Sequence, residues 1–193
     1  IKVLESWIKK IRINKKLLRC GIHKPLNNKY SDKLLITTLS LSQLTSFDVS
    51  EKDKPTKLLN FNNEISNPEK FDAFFDGGSL QHTFNIPNVL KNISNHVKEG
   101  GTIIHVTSAN NLCGFGFYQF SPEFFLRYYS VENGFKNTSI FVADYDDEKY
   151  WYELKNISNK RIAINTSSRL ICLVKTEKFE NKNINEIFQE DYM

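Results

Sequence analysis

Two carboxylates that end apolar runs, three glycines beside them and one histidine are the residues of this chain best placed to do chemistry. Asp76, Gly77 and Gly78 close the run Phe71 to Phe75, and His82 follows where a helical pattern opens. Asp48 closes a second run, QLTSFDV, 27 positions beyond Gly21. That is close to the spacing between glycine loop and ribose carboxylate in nucleotide-binding βαβ units. A carboxylate there can accept both ribose hydroxyls, which offsets the cost of removing its charge from water. An aspartate after a strand is also a common turn former, and both roles stay open. Where a hydroxyl must lose a proton, histidine is the commonest base. Of the four histidines, His82 is the candidate. His23 belongs to the loop after Gly21, His96 is expected to face solvent from mid-helix, and His105 lies inside a strand, where a hydrogen-bonded structural role is expected.

The segment Phe71 to Val106 must position these groups. Phe71, Ala73, Phe74 and Phe75 are almost continuously apolar, as in a strand covered on both faces. Ile86, Val89, Leu90, Ile93 and Val97 recur at helical spacing, with Pro87 tolerated in the first turn. Gly100-Gly101 is expected to end that helix, and Thr102 to Val106 is a second β-branched run. A strand-helix-strand crossover implies parallel strands, whose ligands lie beyond their carboxyl ends. Asp76, Gly77, Gly78 and His82 then form one lip of a cleft, and Thr107, Ser108, Ala109, Asn110 and Asn111 the next.

The remaining elements fall around this unit. Val3, Leu4, Trp7, Ile8 and Ile11 predict an amphipathic helix over 1–13, and Lys16 to Cys20 a strand closing on Gly21. Leu34, Leu35, Thr38, Leu39 and Leu41 predict a helix capped by Ser31 or Asp32. Gln43 to Val49 and Lys57 to Phe61 are further strands, the latter with Asn60 at its exit, and 62–70 is polar loop. The segment Ala109 to Phe120 joins Gly114 and Gly116 to several aromatics. It is either a supple cover for a substrate or a loop pinned to the core by Phe115, Phe117 and Phe120. Ser121-Pro122-Glu123 starts a helix, Thr138 to Ala143 is a strand, and Asp144 to Ser168 is a polar insertion containing Tyr150, Trp151 and Tyr152. Arg169 to Lys175 is the last strand, and Asn185 to Tyr192 has a short helical pattern.

Composition narrows the class. The 193 residues, 40% hydrophobic and 25% charged, suffice for one domain with its own core. No run approaches the roughly 18 apolar residues of a membrane span. The net charge of +4 is modest, although Lys9, Lys10, Arg12, Lys15, Lys16 and Arg19 crowd the start. Such a cluster meets an anionic partner or is simply a solvated face, and no RNA-binding signature accompanies it. Cys20, Cys113 and Cys172 lack metal-ligand spacing and fit reduced thiols in a cytoplasmic protein. A dehydrogenase is disfavoured because Gly-x-Gly-x-x-Gly is absent.

The order FDAFFDGG, LQH, KEGGTIIHV resembles the second half of a class I S-adenosylmethionine-dependent methyltransferase. The continuation ANNLCGFGFYQFSPEFF is similar to the small methyltransferases encoded among bacterial surface-polysaccharide genes. This resemblance implies an α/β fold, a doubly wound, mostly parallel Rossmann-like sheet with an antiparallel last strand. The length fits one domain over 1–193, and because the chain opens on Ile1 in what reads as mid-helix, residues are expected upstream of it. S-adenosyl-L-methionine is the implied cofactor. The implied acceptor is a hydroxyl of a sugar, or of a phosphorylated or phosphoramidate sugar derivative, in capsule biosynthesis. No residue cluster suggests a metal, although some polysaccharide methyltransferases use one, and the absence of an added RNA module weighs against a nucleic-acid partner. By the same resemblance Gly21, Ile22 and His23 line the methionine portion, Asp48 the ribose and Asn60 the adenine. Asp76, Gly77 and Gly78 complete the cofactor crevice, and Asn110, Asn111, Tyr118, Gln119 and Phe120 meet the acceptor. The chain departs from the general pattern at Gly21, which stands alone in CGIHKPLNN where a Gly-x-Gly-x-Gly loop is usual; the surface-polysaccharide group also uses a degenerate loop. Two other functions fit the sequence less well: a nucleic-acid methyltransferase guided by the basic start, and a non-catalytic methyltransferase-like partner that has lost its glycine loop.

Overall fold

Apolar residues that alternate along strands and recur at helical spacing build a sheet with buried side chains on both faces. The computed structural model describes residues 16–21 in backbone only, together with 41–147, 149–155, 162–184 and 186–189. The helices expected over 1–13 and 31–41, apart from Leu41, lie outside the described residues, as do Ile22 and His23. Among the described residues eight strands form one sheet: β1 (Lys16–Gly21), β2 (Gln43–Asp48), β3 (Lys57–Leu58), β4 (Phe71–Gly77), β5 (Val97–Asn110), β6 (Phe135–Asp144), β7 (Trp151–Leu154) and β8 (Leu170–Lys178). Their order is β3-β2-β1-β4-β5-β8-β6-β7. The first five run parallel, whereas β8 is antiparallel to both β5 and β6. The expected doubly wound sheet with an antiparallel last strand is therefore present. Within the polar insertion, β7 adds an antiparallel hairpin to β6 that the sequence pattern did not announce.

Strand β4 shows how the two faces separate. Phe74 joins the larger core with Ile103 and the helices, while Ala73 and Phe75 join a second core with Ile104 and Leu173. The same alternation turns Asp76 and His105 to the side of Phe74 and Ile103. A register shift between Phe71 and Ala73 brings Phe71 to that side as well.

Helix α1 (Ile86–His96) buries Ile86, Val89, Leu90 and Ile93, as their spacing predicts. Asn85 caps it by accepting the Asn88 N–H. Helix α1 stops at His96 rather than at Gly100-Gly101, and Val97 already pairs with Phe71. Lys98 to Gly101 is the irregular stretch of β5 that absorbs the shift. Two lysines satisfy the carbonyls left over in the last turn: Lys70 Nζ donates to Asn95 O at 2.5 Å, and Lys178 Nζ to Ser94 O at 2.6 Å and Val97 O at 3.1 Å. Burial pushes the Lys178 ammonium down to about 8.

Strand β3 is two residues long, shorter than expected, because the polar face of α1 holds the chain beyond it. Asn92 Nδ2 donates to Phe61 O at 2.9 Å and Asn63 O at 2.7 Å. His96 is buried rather than exposed: its Nδ1 lies 2.7 Å from Asn92 O and its ring stacks on Phe61 at 4.9 Å. Phe61 in turn stacks on Phe47 at 4.1 Å. Helix α2 (Pro122–Tyr128) begins at Ser121 as expected. Residues 186–189 of the expected terminal helix lie in no regular structure.

Candidate functional site

Strands β1 and β4 are neighbours although β2 and β3 intervene in the chain. In the sheet order β2 lies to one side of this pair and β5 to the other, the strand reversal beyond whose carboxyl ends a crevice opens. Gly21 ends β1 and stands in register with Gly77, which ends β4. The crevice floor is thus a glycine pair, where a ligand can approach the backbone with no side chain between. The register Arg19↔Ser46, carried two residues on, sets Asp48 beside Gly21. On the other flank, Asp76↔His105 sets Val106 beside Gly77.

Asp48 is half-buried at this edge. Its Oδ1 accepts the Ser50 N–H at 3.0 Å, and its carbonyl accepts the Leu59 N–H at 3.0 Å. Strand-end placement and the turn-forming role therefore coexist in one residue. Asn60 is exposed, with Oδ1 accepting the Asn62 N–H at 3.0 Å. Gly78 has φ +96°, a conformation that glycine reaches without strain. The chain then enters a 3-10 turn, Leu80–His82, and His82 is its exposed last residue.

Asp76 does not present its carboxylate to the crevice. It is fully buried on the helix side of the sheet, as its parity with Phe74 demands. Its Oδ1 accepts the N–H groups of Gly78 at 3.1 Å, Ser79 at 2.7 Å and Leu80 at 3.3 Å. Its Oδ2 lies 2.9 Å from His105 Nδ1, and His105 Nε2 lies 2.7 Å from Tyr129 Oη. His105 is the hydrogen-bonded structural histidine that its strand position predicts.

The segment 111–120 is pinned rather than supple, and the pin is Gln81. The Gln81 carbonyl accepts the N–H groups of Phe117 at 2.8 Å and Tyr118 at 3.2 Å. Its Oε1 accepts the Thr107 hydroxyl at 2.8 Å and the Ser108 N–H at 2.9 Å. Thr107 and Ser108 are consequently buried beneath the lip instead of lining it. Gly116 packs so closely that a Cβ there would lie 2.6 Å from Gln81 O. Gln119 is exposed and its Oε1 accepts the Leu112 N–H at 2.7 Å, whereas Phe120 is a core residue whose ring is not free to meet an acceptor in this arrangement. Tyr118 is half-buried, and its hydroxyl donates to Phe84 O at 2.9 Å. Asn110 ends β5, and Asn111 Nδ2 donates to Thr166 O at 3.0 Å and Ser168 O at 2.9 Å.

No family model and no curated protein matches the sequence. Solved structures do match. TehB from Haemophilus influenzae superposes with a TM-score of 0.59 at 16% identity over 92% of this chain. The chain spans 62% of the length of that protein. The N-methyltransferase NodS from Bradyrhizobium japonicum gives 0.56 at 10% identity, covering 93% of this chain and 96% of its own. An S-adenosylmethionine-dependent methyltransferase from Thermotoga maritima gives 0.55 at 14% identity, covering 90% and 86%. The fold is a methyltransferase fold.

A nucleoside sulfonium fits the residues that border this crevice. The glycine pair leaves room against the backbone, and Asp48 is a strand-end carboxylate able to accept ribose hydroxyls. Beside the turn, Phe47, Phe61, Phe74, Leu80, Val89 and Ile93 line an apolar hollow of about 30 Å³, room for a water or a methyl but not for a purine. Among the described residues no group of three His, Cys, Asp or Glu side chains could hold a metal ion, and no helix is long and apolar enough to cross a membrane.

The sequence pattern missed three features of the site. Gln81 carries no periodic signal, because a buried glutamine in a 3-10 turn looks like any surface polar residue. Phe84, two residues after His82, and Phe117, beside Tyr118 on the facing segment, are 77% and 74% exposed. They, rather than the buried Phe120, offer ring faces to solvent. The inward orientation of Asp76 was readable from strand alternation with Phe74.

Proposed function

We propose that the chain is an S-adenosylmethionine-dependent O-methyltransferase. Its acceptor is a hydroxyl of a sugar or a phosphorylated or phosphoramidate sugar derivative of a bacterial surface glycan, and the 193 residues act as one cytoplasmic domain. The observation that carries the cofactor assignment is the registered pair Gly21 and Gly77 at the switch point, with Asp48 one strand away. Gly21, Gly77 and Gly78 give the methionine portion access to the backbone, Asp48 accepts the ribose hydroxyls, and Asn60 serves the purine edge. Bound there, the cofactor supplies a methyl group already activated on a sulfonium. The chain therefore contributes mainly orientation and exclusion of water. His82, exposed at the end of the 3-10 turn, takes the acceptor hydroxyl proton on a ring nitrogen as the oxygen bonds to the methyl carbon. Asn110, Asn111 and Tyr118 on the opposite lip border the acceptor, joined by Phe84 and Phe117. The sugar class rests on the resemblance to surface-polysaccharide methyltransferases.

Calorimetric titration with S-adenosylhomocysteine tests the assignment. The intact protein should bind, and Asp48→Ala should bind about ten- to hundredfold more weakly, the worth of a charged hydrogen bond of roughly 1.5–3 kcal/mol. No binding to the intact protein would favour a non-catalytic, methyltransferase-like partner. Equal binding by both proteins would remove only the role of Asp48.

A further inference from the structure

We infer that Tyr129 and His105 are positioning residues for the crevice turn, acting on it through Asp76; the effect on cofactor affinity rests on the proposed cofactor binding. Asp76, His105 and Tyr129 are 0%, 0% and 1% exposed and form one unbroken chain. Asp76 acts as the acceptor of this group, its Oδ1 taking three amides, and His105 Nδ1 donates to its Oδ2 at 2.9 Å. That leaves Nε2 as an acceptor, and the Tyr129 hydroxyl donates to it at 2.7 Å. Burial pushes the Tyr129 phenol well above its usual range, so the donor keeps its proton. At the far end, the second oxygen of Asp76 gathers the amides of Gly78, Ser79 and Leu80.

The anchor is rigid and the turn is not. Tyr129 packs edge-on to Phe135 at 4.8 Å and to Tyr128 at 5.0 Å, its N–H donates to Phe125 O at 2.9 Å, and its carbonyl accepts the Thr138 hydroxyl at 2.7 Å. His105 stacks against both Phe125 at 5.6 Å and Tyr129 at 5.7 Å. Gly77-Gly78, by contrast, is a glycine pair with wide backbone freedom. A turn of this kind presents its amides in one arrangement only where something outside it imposes one, and Asp76 does so from beneath. Apolar packing could fill the same space but could not collect three amides. A misplacement of about 1 Å at such a turn can cost on the order of a hundredfold in function.

The test uses the full chain, S-adenosylhomocysteine as the probe, and three variants. Tyr129→Phe removes one hydroxyl without changing shape and should weaken binding about tenfold. His105→Phe removes the donor to Asp76 and should weaken it about a hundredfold. His105→Asn places an amide N–H where Nδ1 stood and should recover most of that loss. Amide hydrogen exchange of Gly78, Ser79 and Leu80 supplies the readout that general packing would not move. Protection should fall in His105→Phe and persist in His105→Asn. Unchanged affinity in Tyr129→Phe, or no difference between the two His105 variants in either readout, would overturn the inference. If the intact protein fails to bind the probe, the cofactor assignment falls, and the exchange comparison alone decides whether the chain of three residues sets the turn.

Discussion

Replacing Gly116 by alanine tests whether the aromatic segment is a fixed wall. A Cβ at this position would lie 2.6 Å from Gln81 O, 2.8 Å from its Cγ and 3.0 Å from its carbonyl carbon. Ordinary contact begins at 3.4 Å, so the segment must withdraw by about 0.8 Å. The Phe117 N–H, now 2.8 Å from Gln81 O, then stands at about 3.6 Å, and the Tyr118 N–H, now at 3.2 Å, stands farther still. Neither is a hydrogen bond at such a distance. Two neutral hydrogen bonds are worth about 1–3 kcal/mol together, and the lower entropy of an unfolded alanine returns about 0.4–1 kcal/mol. The net loss of roughly 0.5–2 kcal/mol corresponds to a fall in Tm of roughly 1–8 °C for a chain of this size. Scanning calorimetry gives the shift, and amide exchange at Phe117 and Tyr118 should accelerate. A raised Tm with the Phe117 amide still protected would refute the packing argument and restore Gly116 as a hinge.

Three further outcomes follow from the geometry. His82→Ala should lower turnover about 10²- to 10⁴-fold, read as S-adenosylhomocysteine released in the presence of a nucleotide-sugar acceptor, while calorimetric affinity for S-adenosylhomocysteine holds; normal turnover would remove His82 as the base. Burial, assisted by Lys70, lowers the pKa of His96 from 6.5 against the opposing pull of Asn92 O. Above the ordinary value both folded and unfolded chains hold a neutral ring. As pH falls below about 6.5 the unfolded chain binds the proton first, and stability drops by at most about 1.4 kcal/mol per pH unit until the folded value is reached. Urea midpoints from pH 7 to 5 should show a shallower acid loss in His96→Gln, and an identical slope would exclude His96 as its source. Asn92→Ala removes two donors, although Asn88 Nδ2 still reaches Phe61 O at 3.3 Å. A loss of about 1–3 kcal/mol, roughly 2–12 °C in Tm, is expected by calorimetry, and no shift would mean that the segment beyond β3 holds itself.

Much of the sheet was legible because its strands are marked by local chemistry. Phe71 to Phe75 can be little other than a strand covered on both faces, and the glycines after Asp76 end its pairing. The length of α1 was less legible, since the shift between Phe71 and Ala73 is set by pairing across the sheet and not by any property of Gly100-Gly101. His96 shows the same limit: its burial depends on Phe61, thirty-five positions away, and helical position alone pointed it to solvent. Strand β7 was hidden because exposed Tyr150 and Tyr152 in a polar segment carry no alternation to signal an edge. At the crevice, the strand-end positions of Asp48 and Gly77 were legible, as each closes a marked run. Asp76 turns inward with Phe74 instead of facing the cleft, and the ring of Phe120 completes the core beside Phe125 instead of meeting an acceptor.

Strand β8 lies between β5 and β6 although it is made last of the three. While the chain emerges from the ribosome, β5 and β6 each offer an open edge, and no local hairpin can close the gap. Lys178, at the end of the same strand, is also what reaches back to the carbonyls of Ser94 and Val97. Nascent chains stopped short of Leu170 therefore expose two sticky edges and a helix lacking one of the cations at its carboxyl end. A premature stop late in the message should yield aggregates or protease fragments, not a smaller working protein.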